Sequence, residues 1–294
     1  MSQILQFRRA FRIEKTADLK EVAIAVDAIY SAHALVIEKL GDIEPPDPAT
    51  GFRIHSLINL LGRTFEHAQA MLVAIATGSP ASAEALARIV VEGSVNVTFL
   101  AMRGDAGTLV RFFRSWLSEH DKKLSAWKPK VSVTQEIDVP AMIEERRGVV
   151  TALETYLAKV ESQCQIDWAN SPEWPPAIFQ RFQAIGRETD YYESYHRLSG
   201  SSHITGEDTL TWLLALEAPN DVKHKLAQEA WAYSTMMSRI ASAFFVDAVA
   251  ACCVAYKVPR QDSLVQRRSE LVKAIQEIAR AAGVPLDARS RSGK

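Results

Sequence analysis

Between Glu188 and Asp208 the chain reads ETDYYESYHRLSGSSHITGED, and no other stretch gathers so many groups able to carry or exchange protons. It holds three tyrosines, two of the seven histidines, one arginine and four serines. Thr189 or Asp190 is a good N-cap, so the stretch should begin helical. Tyr192, His196, Ser199 or Gly200, and His203 then share one face. On a helix of 3.6 residues per turn, His196 and His203 stand about 20° from eclipse, and Arg197 falls roughly 120° from His203. Ser199-Gly200-Ser201-Ser202 is weak helix material, and a helix that ends there lets His203 swing towards Arg197.

These residue types suit metal-free cleavage of RNA. That reaction needs a base for the 2′-hydroxyl proton, an acid for the leaving oxygen and a cation on the phosphate. Histidine serves the first two because its ordinary pKa, ~6.5, lies near working pH. The planar arginine fork suits the third. Arg197 and His203 are the candidate catalytic pair, with His196 or Tyr195 assisting. The competing reading is a non-catalytic module that binds a protein or a small ligand, in which the same residues are buried and structural. Glu193-Ser194-Tyr195-His196 is an ExxH, the carboxylate-histidine unit of di-iron bundles, but the second ExxH such a site requires is missing from the sequence. GxSxG, GxGxxG and GxxxxGK[ST] are also missing. Neither a metal nor a cofactor is expected.

The elements that must hold this stretch are helices. Apolar spacing by threes and fours, punctuated by glycine and proline, predicts an all-α bundle of eight or nine helices. Thr16 is the expected cap of a first helix to about Leu40, with Gly41 as a left-handed stop and an inward stripe of Val22, Val26, Ile29, His33, Val36 and Leu40. His33 reads as a core histidine. A second helix runs from about Phe52 to Thr77. Ser79 and Pro80 open a third, to about Met102, that is apolar nearly all round yet carries Glu84, Arg88, Glu92 and Asn96 four residues apart. That ladder is either a narrow solvent face or a polar stripe turned towards a site between helices.

Asp105 or Thr108 should cap a fourth helix to about Trp127. Residues 128–138 form a connector, and Asp138 with Pro140 opens a fifth helix. NSPEWPP, Asn170 to Pro176, is too proline-rich for helix. A short helix from Ile178 to Gly186 precedes the central stretch. Asn220 or Asp221 should cap the longest helix, to about Lys257, whose apolar second half places it mid-bundle and leaves Asp247 in need of a partner or a proton. A last helix covers about Ser263 to Ala282. Residues 1–285 are expected to form one all-helical domain, followed by a disordered tail over 286–294.

Composition narrows the function classes. A net charge of −1 and a pI near 6.7 disfavour wholesale coating of nucleic acid, while leaving room for a local basic site. Cys164, Cys252 and Cys253 are odd in number and show no CxxC spacing, as expected of reduced thiols in a cytosolic core. The charged N-terminal stretch does not read as a signal peptide. The apolar run from Ile240 to Tyr256 is shorter than the ~20 residues that span a bilayer. A cytoplasmic protein without membrane attachment is the expectation.

Tyr195-x-x-Leu198-Ser199-x-x-x-His203 resembles the signature of a bacterial family of all-helical proteins of unknown function. Members carry an upstream Arg-x-x-x-Glu, which Arg88-Ile-Val-Val-Glu92 matches in type and order. More loosely, the stretch resembles the HEPN (higher eukaryotes and prokaryotes nucleotide-binding) superfamily, helical bundles of which many are ribonucleases. Their signature is an arginine followed, after four to six residues, by a histidine, and Arg197 with His203 fits. The resemblance implies a HEPN-like core, a homodimer with a composite site, RNA as substrate, proton transfer by His203 and phosphate contact by Arg197. Leu198 departs from the pattern, since active members usually have a polar residue there. In the non-catalytic reading, Arg88, Glu92, Tyr195 and His203 form a network that holds the bundle together, with Ser199 beside it.

Overall fold

The computed structural model describes residues 2–132, 138–201, 206–259 and 261–282, and every regular element among them is helical. The protein is all-α, as the periodicity predicts. The middle of the 128–138 connector and the tail over 286–294 lie outside the described residues.

The N-terminal region differs from expectation. Helix α1 (Gln3–Ala10) was not anticipated; it buries Phe7 completely and is capped by the Ser2 side chain, which accepts from the Leu5 N–H at 3.4 Å. Helix α2 (Ala23–Leu35) starts later than a Thr16 cap would allow. The intervening residues form turns, and the Arg8 guanidinium fastens them by donating to the carbonyls of Glu14 and Ala17. One π-helical turn, Val36–Leu40, closes α2, and Gly41 takes φ −65, so it is not a left-handed stop. Its N–H donates to the Val36 carbonyl at 3.1 Å, five residues back, which completes the widened turn. The predicted inward stripe, from Val22 to Leu40, is buried apart from half-buried His33.

Helix α3 (Pro48–Ala76) is followed by Gly78 at φ +78, and α4 (Pro80–Met102) begins immediately after. Helix α5 (Ala106–Trp127) opens with a capping box: Asp105 accepts from the Thr108 N–H at 2.8 Å, and the Asp105 N–H donates back to the Thr108 hydroxyl at 3.2 Å. Helix α6 (Val139–Gln163) is capped by Asp138, with proline in its first turn. Next come α7 (Ile178–Ala184), α8 (Glu188–Asp190), a second π turn over Tyr191–Tyr195 and α9 (His196–Ser201). Helix α10 (Gly206–Glu217) was not anticipated. Helix α11 (Asn220–Ala255) begins directly after Pro219, with neither Asn220 nor Asp221 acting as a cap, and α12 (Asp262–Ala281) follows.

The chain divides into two compact units. The first comprises Met1–Ile43, Leu57–Met102 and Ala177–Lys294, and α11 is its central helix, packed on α4, α12 and α2. Ala241, Ser242, Ala248 and Val249 of α11 are completely buried, and such small side chains let neighbouring helices approach closely. The same device operates at Gly93 of α4, where an added Cβ would lie 2.6 Å from the Thr64 hydroxyl. Helices α4 and α11 are long and apolar enough to cross a membrane, but 56% and 78% of their apolar windows are buried in the protein, so packing already accounts for that composition.

The second unit comprises Glu44–Ser56 and Arg103–Pro176. Its core is a seam of Val110, Leu117 and Leu124 on α5 against Ile143, Val150 and Leu157 on α6. Each set repeats every seven residues, the spacing that keeps one stripe of a helix facing a partner. Ion pairs Arg114–Glu161, Arg147–Asp121 and Lys128–Glu144 fall in reverse order along the two helices, so α5 and α6 are antiparallel.

Candidate functional site

The two motif segments meet in the first unit. Arg88 and Glu92 lie one turn apart on α4, and the second π turn brings the Tyr195 hydroxyl between them. Arg88 Nη2 donates to Tyr195 Oη at 3.1 Å, and Tyr195 Oη donates to Glu92 Oε2 at 2.9 Å. The Arg88 guanidinium also stands over the tyrosine ring, 5.1 Å from its centroid. Tyr195 is only 6% exposed, and Arg88 and Glu92 are half-buried.

The rest of the α4 ladder also meets other helices of this unit. Arg181 of α7 donates to Asn96 Oδ1, and Ser234 of α11 donates to Glu84. The four rungs are thus engaged from three directions, and all are half-buried. Burial lowers the Arg181 pKa, and the Glu92 and Tyr195 charges oppose that shift. Burial, reinforced by the Glu92 carboxylate, raises the Tyr195 pKa above its ordinary value, while Arg88 acts in the opposite sense. A phenol held protonated in this way bridges Arg88 and Glu92 as a hydrogen-bonding strut and is poorly suited to exchange protons near neutrality.

A second clamp holds the start of the segment. Arg187, just before α8, pairs with Asp190 and with Asp247 of α11 at 2.9 Å, and its guanidinium lies 4.0 Å from the Phe244 ring centroid. Arg268 of α12 pairs with the other Asp247 oxygen at 3.1 Å. Asp247 therefore has two cationic partners. The sequence signalled that this aspartate required a partner or a proton, but nothing in it identified Arg187 or Arg268. Arg181 was missed altogether, because it sits inside IFQRFQA, which reads simply as a short apolar helix.

The end of the π turn and α9 are divided by burial. Tyr195 and Leu198 point inward, Leu198 with 0% exposure, while His196 and Arg197 are exposed and Ser199 is half-buried. The π turn inserts an extra residue per turn, so both Tyr191 and Tyr192 reach the His196 ring, at centroid distances of 6.0 and 6.3 Å. Arg88, Glu92 and Tyr195 are thus joined in one node, and His196 with Arg197 occupies the solvent side of the helix that the node anchors. His203 lies outside the described residues. Among the described residues no three His, Cys, Asp or Glu side chains converge as metal ligands, so the Glu193–His196 pair gains no companions.

No curated protein and no solved structure matches the chain. The sequence model of a family of unknown function, DUF5677, matches residues 55–213. That span contains both motif segments and covers more than half of the 294 residues, and the chain belongs to this family.

Proposed function

We propose that the chain is a metal-independent endoribonuclease of toxin or defence type, HEPN-like in its core and acting as a dimer. One observation carries this reading. The helix that presents Arg197 and His196 to solvent is held from behind by Tyr195 and Leu198, so a guanidinium and an imidazole stand at the surface on a fixed support. In this reading Arg197 contacts the scissile phosphate, His203 takes the 2′-hydroxyl proton, and His196 assists at the leaving oxygen. Arg88, Glu92 and Tyr195 position the helix and touch no substrate. The test is cleavage of single-stranded RNA by purified protein in excess chelator, with end-group analysis of the products. Wild-type protein should leave 2′,3′-cyclic phosphate ends, and Arg197→Ala and His203→Ala should abolish cleavage while far-UV circular dichroism stays unchanged. Cleavage that persists in both variants, or that requires a divalent metal, removes the proposal.

A second reading, a non-catalytic module that binds a protein or a small ligand, draws support from the same node. Arg88, Tyr195 and Glu92 hydrogen-bond to one another, and apolar, fully buried Leu198 follows Arg197 where active enzymes of the resembled superfamily carry a polar residue. It expects no RNA cleavage by the wild type, and a lowered melting temperature as the main effect of Arg88→Ala.

A further inference from the structure

The second unit carries more apolar surface than its own core uses. At 100° per residue, Met142, Val149, Leu153 and Tyr156 of α6 fall within an arc of about 60°, and that arc is centred roughly 90° from the buried stripe of Ile143, Val150 and Leu157. These four side chains are 58%, 41%, 41% and 61% exposed, which is far from the near-total burial of the adjacent stripe. Trp127 and Met142, at one end of this face, line a groove of about 920 Å³ that Val149 also borders. Leu153 and Tyr156, one and two turns further along, stand outside it as a ridge.

We propose that this face is a docking seam for a second copy of the chain, with the two α6 helices antiparallel across a two-fold axis near Val149. The groove and the ridge lie on the same helix at equal distances from that residue, Met142 seven positions before it and Tyr156 seven after. A two-fold rotation therefore sets Tyr156 of each copy into the groove at Met142 of the other, an aromatic ring against a thioether. A face that contains both a recess and the projection that fills it is what an isologous contact requires. The spacing of four and three residues from Val149 to Leu153 to Tyr156 is that of a helix–helix seam, which selects a helix as the occupant.

The area agrees. Trp116 stacks on His120, which lines the groove, and is itself 44% exposed; Trp127 is 62% exposed. With ~200 Å² for a fully exposed large side chain, the two tryptophans and the four α6 residues offer on the order of 600 Å² of apolar surface. A stable interface needs ~800 Å² from each partner, so this apolar patch amounts to most of one side, and Lys123, Glu145 and Arg146 lie around it as a polar rim. The rim is of mixed sign, so neither a polyanion nor an anionic lipid surface fits it. The seam rests on the second unit alone, and RNA cleavage is not its readout: loss of cleavage in Arg197→Ala leaves it standing, and an unchanged mass for Val149→Lys removes it without touching the reading of α9.

The full-length chain tests it by native mass spectrometry and sedimentation. Val149→Lys sets two like charges at the axis and should halve the number of subunits in the assembly, with helicity unchanged because Val149 is not a core residue of its own chain. Val149→Cys on a Cys164→Ser background should form an intermolecular disulfide under mild oxidation, since the axis brings position 149 next to itself. A wild-type chain that stays monomeric at high micromolar concentration overturns the proposal. So does a Val149→Lys protein of unchanged mass, or a Val149→Cys protein that fails to cross-link.

Discussion

Tyr195 shows how much one hydroxyl can be asked to do. It accepts from Arg88 and donates to Glu92, and the ring beneath it carries the arginine's cation–π contact. Tyr195→Phe keeps the ring and deletes only the bridge, leaving a half-buried cation and carboxylate each short of one partner. The expected loss is about 1–3 kcal/mol, read as a lower denaturant midpoint with an unchanged slope. A variant as stable as the wild type would mean that Arg88 and Glu92 re-pair directly and that the hydroxyl is dispensable. His33 offers a residue-scale prediction of different kind. Its ring stacks on Phe65 at a centroid distance of 3.8 Å, and burial holds its pKa below the ordinary 6.5. The folded state then binds a proton less readily than the unfolded chain. The neutral ring costs nothing above pH ~6.5, and stability falls as the pH drops through that value towards the lower folded-state pKa. His33→Gln should flatten that part of the melting temperature profile between pH 7.5 and 5.5, relative to wild type; a profile that superimposes on the wild type would contradict the assignment.

At the scale of the helix, ends were easier to foresee than interruptions. The Asp105 capping box satisfies the N-terminal turn of α5, and Asp105→Ala should cost about 0.5–2 kcal/mol, measurable by equilibrium denaturation. No loss would show that the first turn of α5 frays at little cost. That cap, the Asp138 cap and the opening of α4 at Pro80 were legible because each follows from local chemistry written in two or three consecutive residues. Thr16 misled for an equally physical reason. A cap works only if the chain after it turns helical, and here Arg8 holds the residues on either side of Thr16 in turns through the carbonyls of Glu14 and Ala17. The two π turns left no sequence signal, since a widened turn inserts one residue without changing the apolar spacing enough to be seen. The second of them matters most, because it sets which residues of the YYESYHRLSGS segment face α4 and which face solvent. Sequence reasoning grouped Arg88, Glu92 and Tyr195 with His203 as one network only through the two family motifs: the contact itself spans about a hundred residues, and its geometry, with the tyrosine hydroxyl between guanidinium and carboxylate, depends on packing that no local pattern encodes. Arg181, Arg187 and Arg268 were invisible for the same reason.

Across the whole molecule, two cores are built on different principles. Around α11, alanine and serine bring helices close and the apolar surface is shared among α4, α12 and α2. In the α5–α6 pair the core is one narrow heptad seam of six branched side chains. Phe52, Phe113, Val131, Val139, Ile166 and Trp168 pack against this seam, and truncation within it should be felt in this core. Leu117, 5% exposed at the middle of the α5 stripe, is the test position. Leu117→Ala should cost about 2–5 kcal/mol. Native-state hydrogen exchange should show where the loss is felt, with amides of α5 and α6 losing protection while those of Ala241 to Val249 in α11 keep theirs. Equal losses in both places would mean that the two cores open as one cooperative body, and that the division of contacts into two units has no thermodynamic counterpart.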